Sequence, residues 1–249
     1  MCSSDLIYAD QYQRNRAFGA FIVVSRDNND TLGAATIVDR SDYDSELKAE
    51  RTVEKTRNVT WHSGQVTADD RARLLRQRPA TVWLTGLSGA GKSTVAFALE
   101  RKLLERGQTA YVLDGDNVRH HLNRDLGFSP LDRAENIRRI AEVARLMNDA
   151  GLIVITAFIS PYVEDRKMAS EIIGAGNFLE VYLNTPINVC EGRDPKGLYK
   201  RARKGEIAGF TGISAPYEPP PAAALTLDTA VVGIDGCIEA LLKLLAPKL

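Results

Sequence analysis

A parallel β-sheet flanked by helices is the fold class this 249-residue sequence predicts, and three observations lead to it. From Thr81 onward, short apolar runs alternate with amphipathic stretches, the pattern of a sheet covered on both faces. The first apolar run, Thr81-Val82-Trp83-Leu84-Thr85, leads into Gly86-Leu87-Ser88-Gly89-Ala90-Gly91-Lys92-Ser93 and Thr94, which fits G-x-x-x-x-G-K-[ST]. The second ends on Asp114-Gly115-Asp116, two carboxylates at the carboxyl end of a strand, where open α/β sheets hold their ligands.

The glycine-rich loop carries the most chemistry. Glycines let backbone N–H groups close around phosphate oxygens, and the helix that follows adds its positive end. In this pattern Lys92 reaches the β- and γ-phosphates and the Ser93 hydroxyl can ligate magnesium. Strand, loop and helix are in register, so the chain is expected to bind a nucleoside triphosphate. The helix is expected over Val95–Arg106, stopped by Gly107.

Composition limits the alternatives. Hydrophobic residues make up 44%, enough for a large core, and 32 basic side chains balance 32 acidic ones. Net charge of zero gives no bulk attraction to nucleic acid or membrane. Cys2, Cys190 and Cys237 have no metal spacing and form no disulfide framework, which favours a reducing cytoplasm. No apolar run reaches the length of a membrane span, and residues 1–20 lack a signal-peptide core.

Taken in order, Met1-Cys2-Ser3-Ser4-Asp5-Leu6 fits no element and is expected to be foreign sequence ahead of an incomplete gene. Ala20–Val24 and Leu32–Val38 read as a hairpin across Asp27-Asn28-Asn29-Asp30, so residues 1–39 form a hairpin unit. Residues 40–57 are charge-rich and read as a linker, with a second domain over 58–249. Thr67 caps a short helix over Asp69–Gln77. The second core strand is expected at Thr109–Leu113. Ser129 and Asp132 form a capping box for a long helix with Pro130 in its first turn and a stripe of Ile137, Ile140, Ala144 and Met147. Leu152–Phe158, Phe178–Leu183 and Leu225–Leu227 read as further strands, and Asp235–Leu245 as the last helix.

A second substrate is suggested by residues beyond the loop. Asp114 and Asp116 can orient an acceptor hydroxyl and hold magnesium through water; a polar turn with Asp as helix cap is the plainer alternative. Arg133 and Asn136 lie three apart, hence on one helix face, and an arginine fork there suits phosphate or sulfate. Phe128 can stack on a base. Residues 193–213, with Lys196, Lys200, Arg201, Arg203 and Lys204, have the composition of a lid that closes over phosphates.

These blocks resemble adenylyl-sulfate kinase. The resemblance rests on Gly86–Thr94, Asp114-Gly115-Asp116-Asn117-Val118-Arg119, Asp125-Leu126-Gly127-Phe128 and Arg133-Ala134-Glu135-Asn136-Ile137-Arg138-Arg139. It continues through Phe158-Ile159-Ser160-Pro161-Tyr162, Cys190–Tyr199, Phe210-Thr211-Gly212-Ile213 and Ala215-Pro216-Tyr217-Glu218. It implies a P-loop nucleoside triphosphate hydrolase-like fold, ATP as donor with Mg2+, and adenosine 5′-phosphosulfate as acceptor through its 3′-hydroxyl. By the same resemblance Lys92, Asp116 and Ser160 are catalytic candidates, and Ser93 with Asp116 would hold the metal. Arg119, Arg133 and Asn136 would hold the phosphosulfate, and Phe128 with Phe210 would sandwich its adenine. Asp114, Ile159, Ser160 and Lys200 or Lys204 would line the acceptor site, and Arg193 and Thr211 would contact the ATP adenine. Ser160 is the family's phosphoserine position, but no His adjoins it in sequence to activate it, and direct in-line transfer is expected; a helix cap before Pro161 is the structural alternative.

The hairpin over residues 15–37 is similar to the last strands of the large, GTPase-type subunit of sulfate adenylyltransferase. Resemblance thus implies a longer two-activity polypeptide, with a homodimer and the sulfate adenylyltransferase small subunit as partners. Another nucleoside or sugar kinase, and a non-catalytic nucleotide-binding module, are the competing readings. A GTPase switch is disfavoured because no Asn-Lys-x-Asp motif follows the loop.

Overall fold

Alternation along β3 (Ala80–Thr85) sets the architecture, because every residue of this strand is buried yet the two faces meet different layers. Ala80, Val82 and Leu84 enter one core cluster, and Trp83 enters the other. The period of two places successive side chains on opposite faces, so a strand covered on both sides reads as an unbroken apolar run. The computed structural model describes residues 20–24, 31–36, 60 and 62–249. The chain divides into two compact units, residues 1–63 and residues 64–249.

In the first unit, β1 (Ala20–Val24) pairs antiparallel with β2 (Thr31–Thr36), with a register shift between Val23 and Val24. The expected hairpin is present. Val38, the expected end of its second strand, lies outside the described residues, as do Met1–Leu6 and the linker at 40–57.

The second unit opens with α1 (Ala68–Leu75). Thr67 and Asp70 form a full capping box: the Asp70 N–H donates to Thr67 Oγ1 at 3.2 Å and the Thr67 N–H to Asp70 Oδ2 at 2.9 Å. The helix ends two residues earlier than expected, with Arg76 in the left-handed region, because Gln77 turns inward. Its amide brackets Thr109 and Gly151, which ties α1 to the start of the sheet.

The sheet has the order β4-β5-β3-β6-β7, all parallel, with β4 at Ala110–Asp114, β5 at Ile153–Ala157, β6 at Phe178–Leu183 and β7 at Leu225–Leu227. α2 (Lys92–Glu105) and α8 (Gly233–Leu245) cover one face, and α4 (Pro130–Asp149) and α5 (Val163–Ile173) the other. Trp83 is the centre of the second layer, stacked on Phe158 at 6.1 Å and tilted against Phe178 at 5.6 Å. Ser129 caps α4 as expected, but the box is not reciprocal. The Asp132 carboxylate accepts from the Ser129 hydroxyl at 2.7 Å.

α4 carries two buried polar residues that its apolar stripe conceals, Asn136 near its start and Asn148 near its end. Asn148 donates to Ala80 O and Leu152 O, both at 3.1 Å, and accepts from the Thr81 hydroxyl at 2.8 Å. Asn148→Leu would strand two carbonyls and a hydroxyl inside the protein. A loss of about 3 kcal/mol is expected, read as a lower urea midpoint with unchanged slope.

Candidate active site

The phosphate loop joins β3 to α2, and its backbone admits only glycine at two places. A Cβ on Gly86 would lie 2.6 Å from Leu183 O, and one on Gly89 2.7 Å from Cys190 O; both residues have positive φ. Three successive carbonyls of the loop are held from behind. Ser88 O accepts from the Tyr199 hydroxyl at 2.9 Å, Gly89 O from Arg193 Nη1 at 3.2 Å, and Ala90 O from Thr229 Oγ1 at 2.9 Å. Fixing the carbonyls outward leaves the loop amides and the uncapped start of α2 as the anion-binding surface. α2 begins at Lys92, three residues before the expected start, because Gly91 in the left-handed region makes the turn into it.

Lys92 is buried and donates to Gly86 O at 2.9 Å and Leu87 O at 2.7 Å. Burial pushes its ammonium down to about 8, with Cys190 and Asp114 opposing the shift, so it is still protonated at neutral pH. Ser93 donates to Asp114 Oδ2 at 2.7 Å. The other Asp114 oxygen accepts from the N–H groups of Asp116 and Asn117, capping α3 (Gly115–His120). Of the sequence readings of Asp114, the helix cap is present, and the side chain's other oxygen meets Ser93. It is Asp114, rather than Asp116, that the structure brings to Ser93. Asp116 is exposed on the next turn and pairs with Lys196.

This site lies where the chain leaves β3 for β4 across β5, the crevice that binds ligands in open sheets. Beyond Asp116, Arg119 donates to Leu126 O and Gly127 O, and its guanidinium lies 4.5 Å from the Phe128 ring centroid. Burial lowers the Arg119 pKa first, and the positive charge of Arg133 lowers it further. Arg133 donates to Phe128 O, to Thr211 Oγ1 at 2.9 Å and to Gly209 O at 2.8 Å. Two guanidinium groups, each bonded to neutral oxygens only, make a place for an anion. Arg138 and Arg139 differ: Glu135 and Asp125 neutralise them at the surface. Asn136, on the same helix face as Arg133, is buried and accepts from Asn123 Nδ2 at 2.9 Å.

Several expected placements change. Thr211 lies on the arginine side, on Arg133, and Arg193 is on the loop, where Thr229 Oγ1 accepts from it at 2.8 Å. Phe128 is 69% exposed, but Phe210 is 8% exposed and packed edge-on against Tyr199 at 5.0 Å. Phe210 thus offers little ring surface to a sandwiched base. Ser160 is not a helix cap: α5 starts at Val163 and its N-cap is Tyr162. Ser160 is 3% exposed, has φ of 39°, and its hydroxyl accepts from the Trp83 indole at 3.1 Å. The neighbouring Ile159 carbonyl accepts from Thr85.

The segment expected to form a lid, residues 193–213, begins where α6 (Ile187–Arg193) ends and contains α7 (Leu198–Arg203). Tyr199 and Phe210 root it in the core, while Lys200 and Lys204 are exposed. Tyr199 and Thr229 were missed by sequence reasoning. A buried tyrosine beside a phosphate loop has no local signature, and Thr229 meets Ala90 only through the fold. A cavity of about 530 Å³ opens between Leu87 and Gly212–Tyr217.

No group of three or more His, Cys, Asp or Glu side chains could hold a metal among the described residues. The oxygen-only pair Ser93–Asp114 beside a phosphate cradle fits magnesium, which keeps several waters and binds through one or two carboxylates plus phosphates.

A parallel sheet, a phosphate loop at its switch point and a pair of arginines at the same end of the sheet are the features of a P-loop small-molecule kinase. The adenylylsulphate kinase family profile matches residues 78–228. The adenylyl-sulfate kinase of Vibrio vulnificus is 56% identical over 190 residues, covering 76% of this chain and 92% of that protein. The chain belongs to the adenylyl-sulfate kinase family. The bifunctional enzyme NodQ of Rhizobium tropici is 52% identical over 223 residues, 90% of this chain but 33% of that protein, so the chain spans about a third of such relatives. The solved structure of the Mycobacterium tuberculosis APS kinase CysC in complex with AMPPNP and APS is 52% identical, covering 68% of this chain and 99% of that one, with a TM-score of 0.66.

Proposed function

We propose that the chain transfers the γ-phosphoryl group of ATP to the 3′-hydroxyl of adenosine 5′-phosphosulfate (APS), giving 3′-phosphoadenosine 5′-phosphosulfate and ADP. One observation carries the reading beyond a generic kinase. The arginine pair Arg119–Arg133, with the exposed Phe128 ring, faces the same end of the sheet as the phosphate loop. An aromatic face beside two cations suits a nucleotide bearing a phosphosulfate.

In this mechanism the loop amides, the α2 N-terminus and Lys92 hold the triphosphate. Arg119 and Arg133 hold the acceptor's charged end. Asp116 accepts the proton of the 3′-hydroxyl as that oxygen bonds the γ-phosphorus and the bond to the β–γ bridging oxygen breaks. Lys196, paired with Asp116 here, neutralises charge as the lid closes. Magnesium, held through Ser93 and Asp114 with phosphate oxygens, would supply further neutralisation of the phosphates. The proposal includes the homodimer the resemblance implies, the small-subunit partner for the longer polypeptide, and a cytoplasmic setting. No helix among the described residues is long and apolar enough to cross a membrane.

The test is ADP release measured with and without APS. Dependence on APS supports the reading, and equal turnover without it would sink the assignment. Direct transfer carries its own prediction. The Ser160 hydroxyl is committed to Trp83 inside the protein, so Ser160→Ala should lose no more than one hydrogen bond's worth of organisation, about fivefold in rate. Stoichiometric phosphate on Ser160, after mixing with labelled ATP alone, would contradict direct transfer.

A further inference from the structure

Among the described residues Arg166 is the one buried arginine, 2% exposed, on a helix where sequence alone suggests only a solvated charge. A buried guanidinium is tolerated when its donors are all taken up, and here three nitrogens reach three different segments. Nε donates to Glu180 Oε1 on β6 at 2.6 Å. Nη1 donates to Ser160 O at 2.7 Å, and Nη2 to Glu218 O at 2.8 Å.

Two of those segments border the acceptor half of the site. The Ile159–Pro161 turn follows β5, and the Thr211–Glu218 segment carries the Thr211 hydroxyl to Arg133 and lines the cavity beside Leu87. Further bonds join the same two segments. The Glu218 N–H donates to Pro161 O at 2.8 Å, and its carboxylate accepts from the Val163 N–H at 2.8 Å, capping α5. Thr85 links Ile159 O, at 2.7 Å, to the Tyr217 hydroxyl, at 2.9 Å. The turn itself is strained, with Ser160 in the left-handed region, a conformation that persists only where surroundings over-determine it. Arg166 holds that residue's carbonyl while Trp83 holds its hydroxyl.

We infer that Arg166 is a positioning residue for the acceptor nucleotide: it locks the Ile159–Pro161 turn to the Thr211–Glu218 segment and so shapes the acceptor side. None of its three bonds reaches the phosphate loop, whose carbonyls are held by Tyr199, Arg193 and Thr229. The inference rests on the acceptor reading given above.

Arg166→Lys tests it, because a lysine keeps the charge beside Glu180 but cannot span three acceptors. With the loss of two hydrogen bonds, KM for APS should rise at least about tenfold, while KM for ATP stays within about twofold. The sequence has two tryptophans, so in a Trp61→Phe background the emission of Trp83 reports the turn directly. It should shift in the ligand-free Arg166→Lys protein. Should that variant fail to fold, Tyr217→Phe removes a single hydroxyl from the same lock and should raise KM for APS selectively by about threefold. Parallel changes in both KM values, or none, in a chain whose wild type turns over APS would overturn the inference. A wild type with no APS-dependent turnover would overturn the acceptor reading instead.

Discussion

Asp116→Asn is expected to lower APS-dependent ADP release by about 10³-fold, the scale of a lost general base. The side chain has no part in holding the fold. It is exposed, its one charged partner among the described residues is the exposed Lys196, and α3 is capped by Asp114 instead. Asparagine keeps the shape but cannot take the acceptor's proton at neutral pH. The loss should therefore fall on kcat, with KM for ATP and the melting temperature unchanged. Steady-state kinetics beside a thermal melt checks this. A loss below tenfold would move the proton acceptor elsewhere. Lys196→Met separates the partner's contribution, because it removes the pairing charge and leaves the carboxylate in place.

Local signals made the donor half of this site legible. Strand, glycine loop and helix occupy adjacent residues, and the positive φ of Gly86 and Gly89 is a backbone requirement that the residue type itself reveals. Strands β6 and β7 also have the expected bounds, because each is a short run rich in apolar and β-forming residues with turn residues at its ends. Long-range partners were hidden. Ser160-Pro161 has the sequence of a helix start, yet α5 begins at Val163, whose N–H is met by Glu218 from fifty-five residues away. Thr211 reads as a donor-site residue until Arg133, seventy-eight residues distant, is found donating to it. Phe210 reads as a stacking ring, but the core takes it. Buried polar residues were the commonest omission. Asn148 and Arg166 sit on helices at spacings that a solvated side chain would also show, and only their partners on the sheet distinguish them.

Lys92 should make ATP affinity depend on pH in a definite direction. Its ammonium is pushed down to about 8 by burial, from 10.5 in the unfolded chain. Between those values the unfolded chain holds more protons, so the ligand-free protein gains stability as pH rises through 8 toward 10.5. A bound triphosphate acts the other way, because anionic oxygens favour the charged ammonium. Binding ATP above pH 8 must then take up a proton, and affinity should fall with rising pH by up to about tenfold per unit. Calorimetry in buffers of different ionisation enthalpy measures that uptake. Lys92→Met should abolish it and flatten the pH profile. The same variant removes the charge that the proposed mechanism places on the triphosphate, and a kcat loss of about 10²–10³ is expected. Persistent proton uptake in Lys92→Met would assign the titration to another group. Because Gly86 O and Leu87 O already accept from the ammonium, the proton taken up on binding reads the added anionic charge of the triphosphate and not a first hydrogen-bond partner for Lys92.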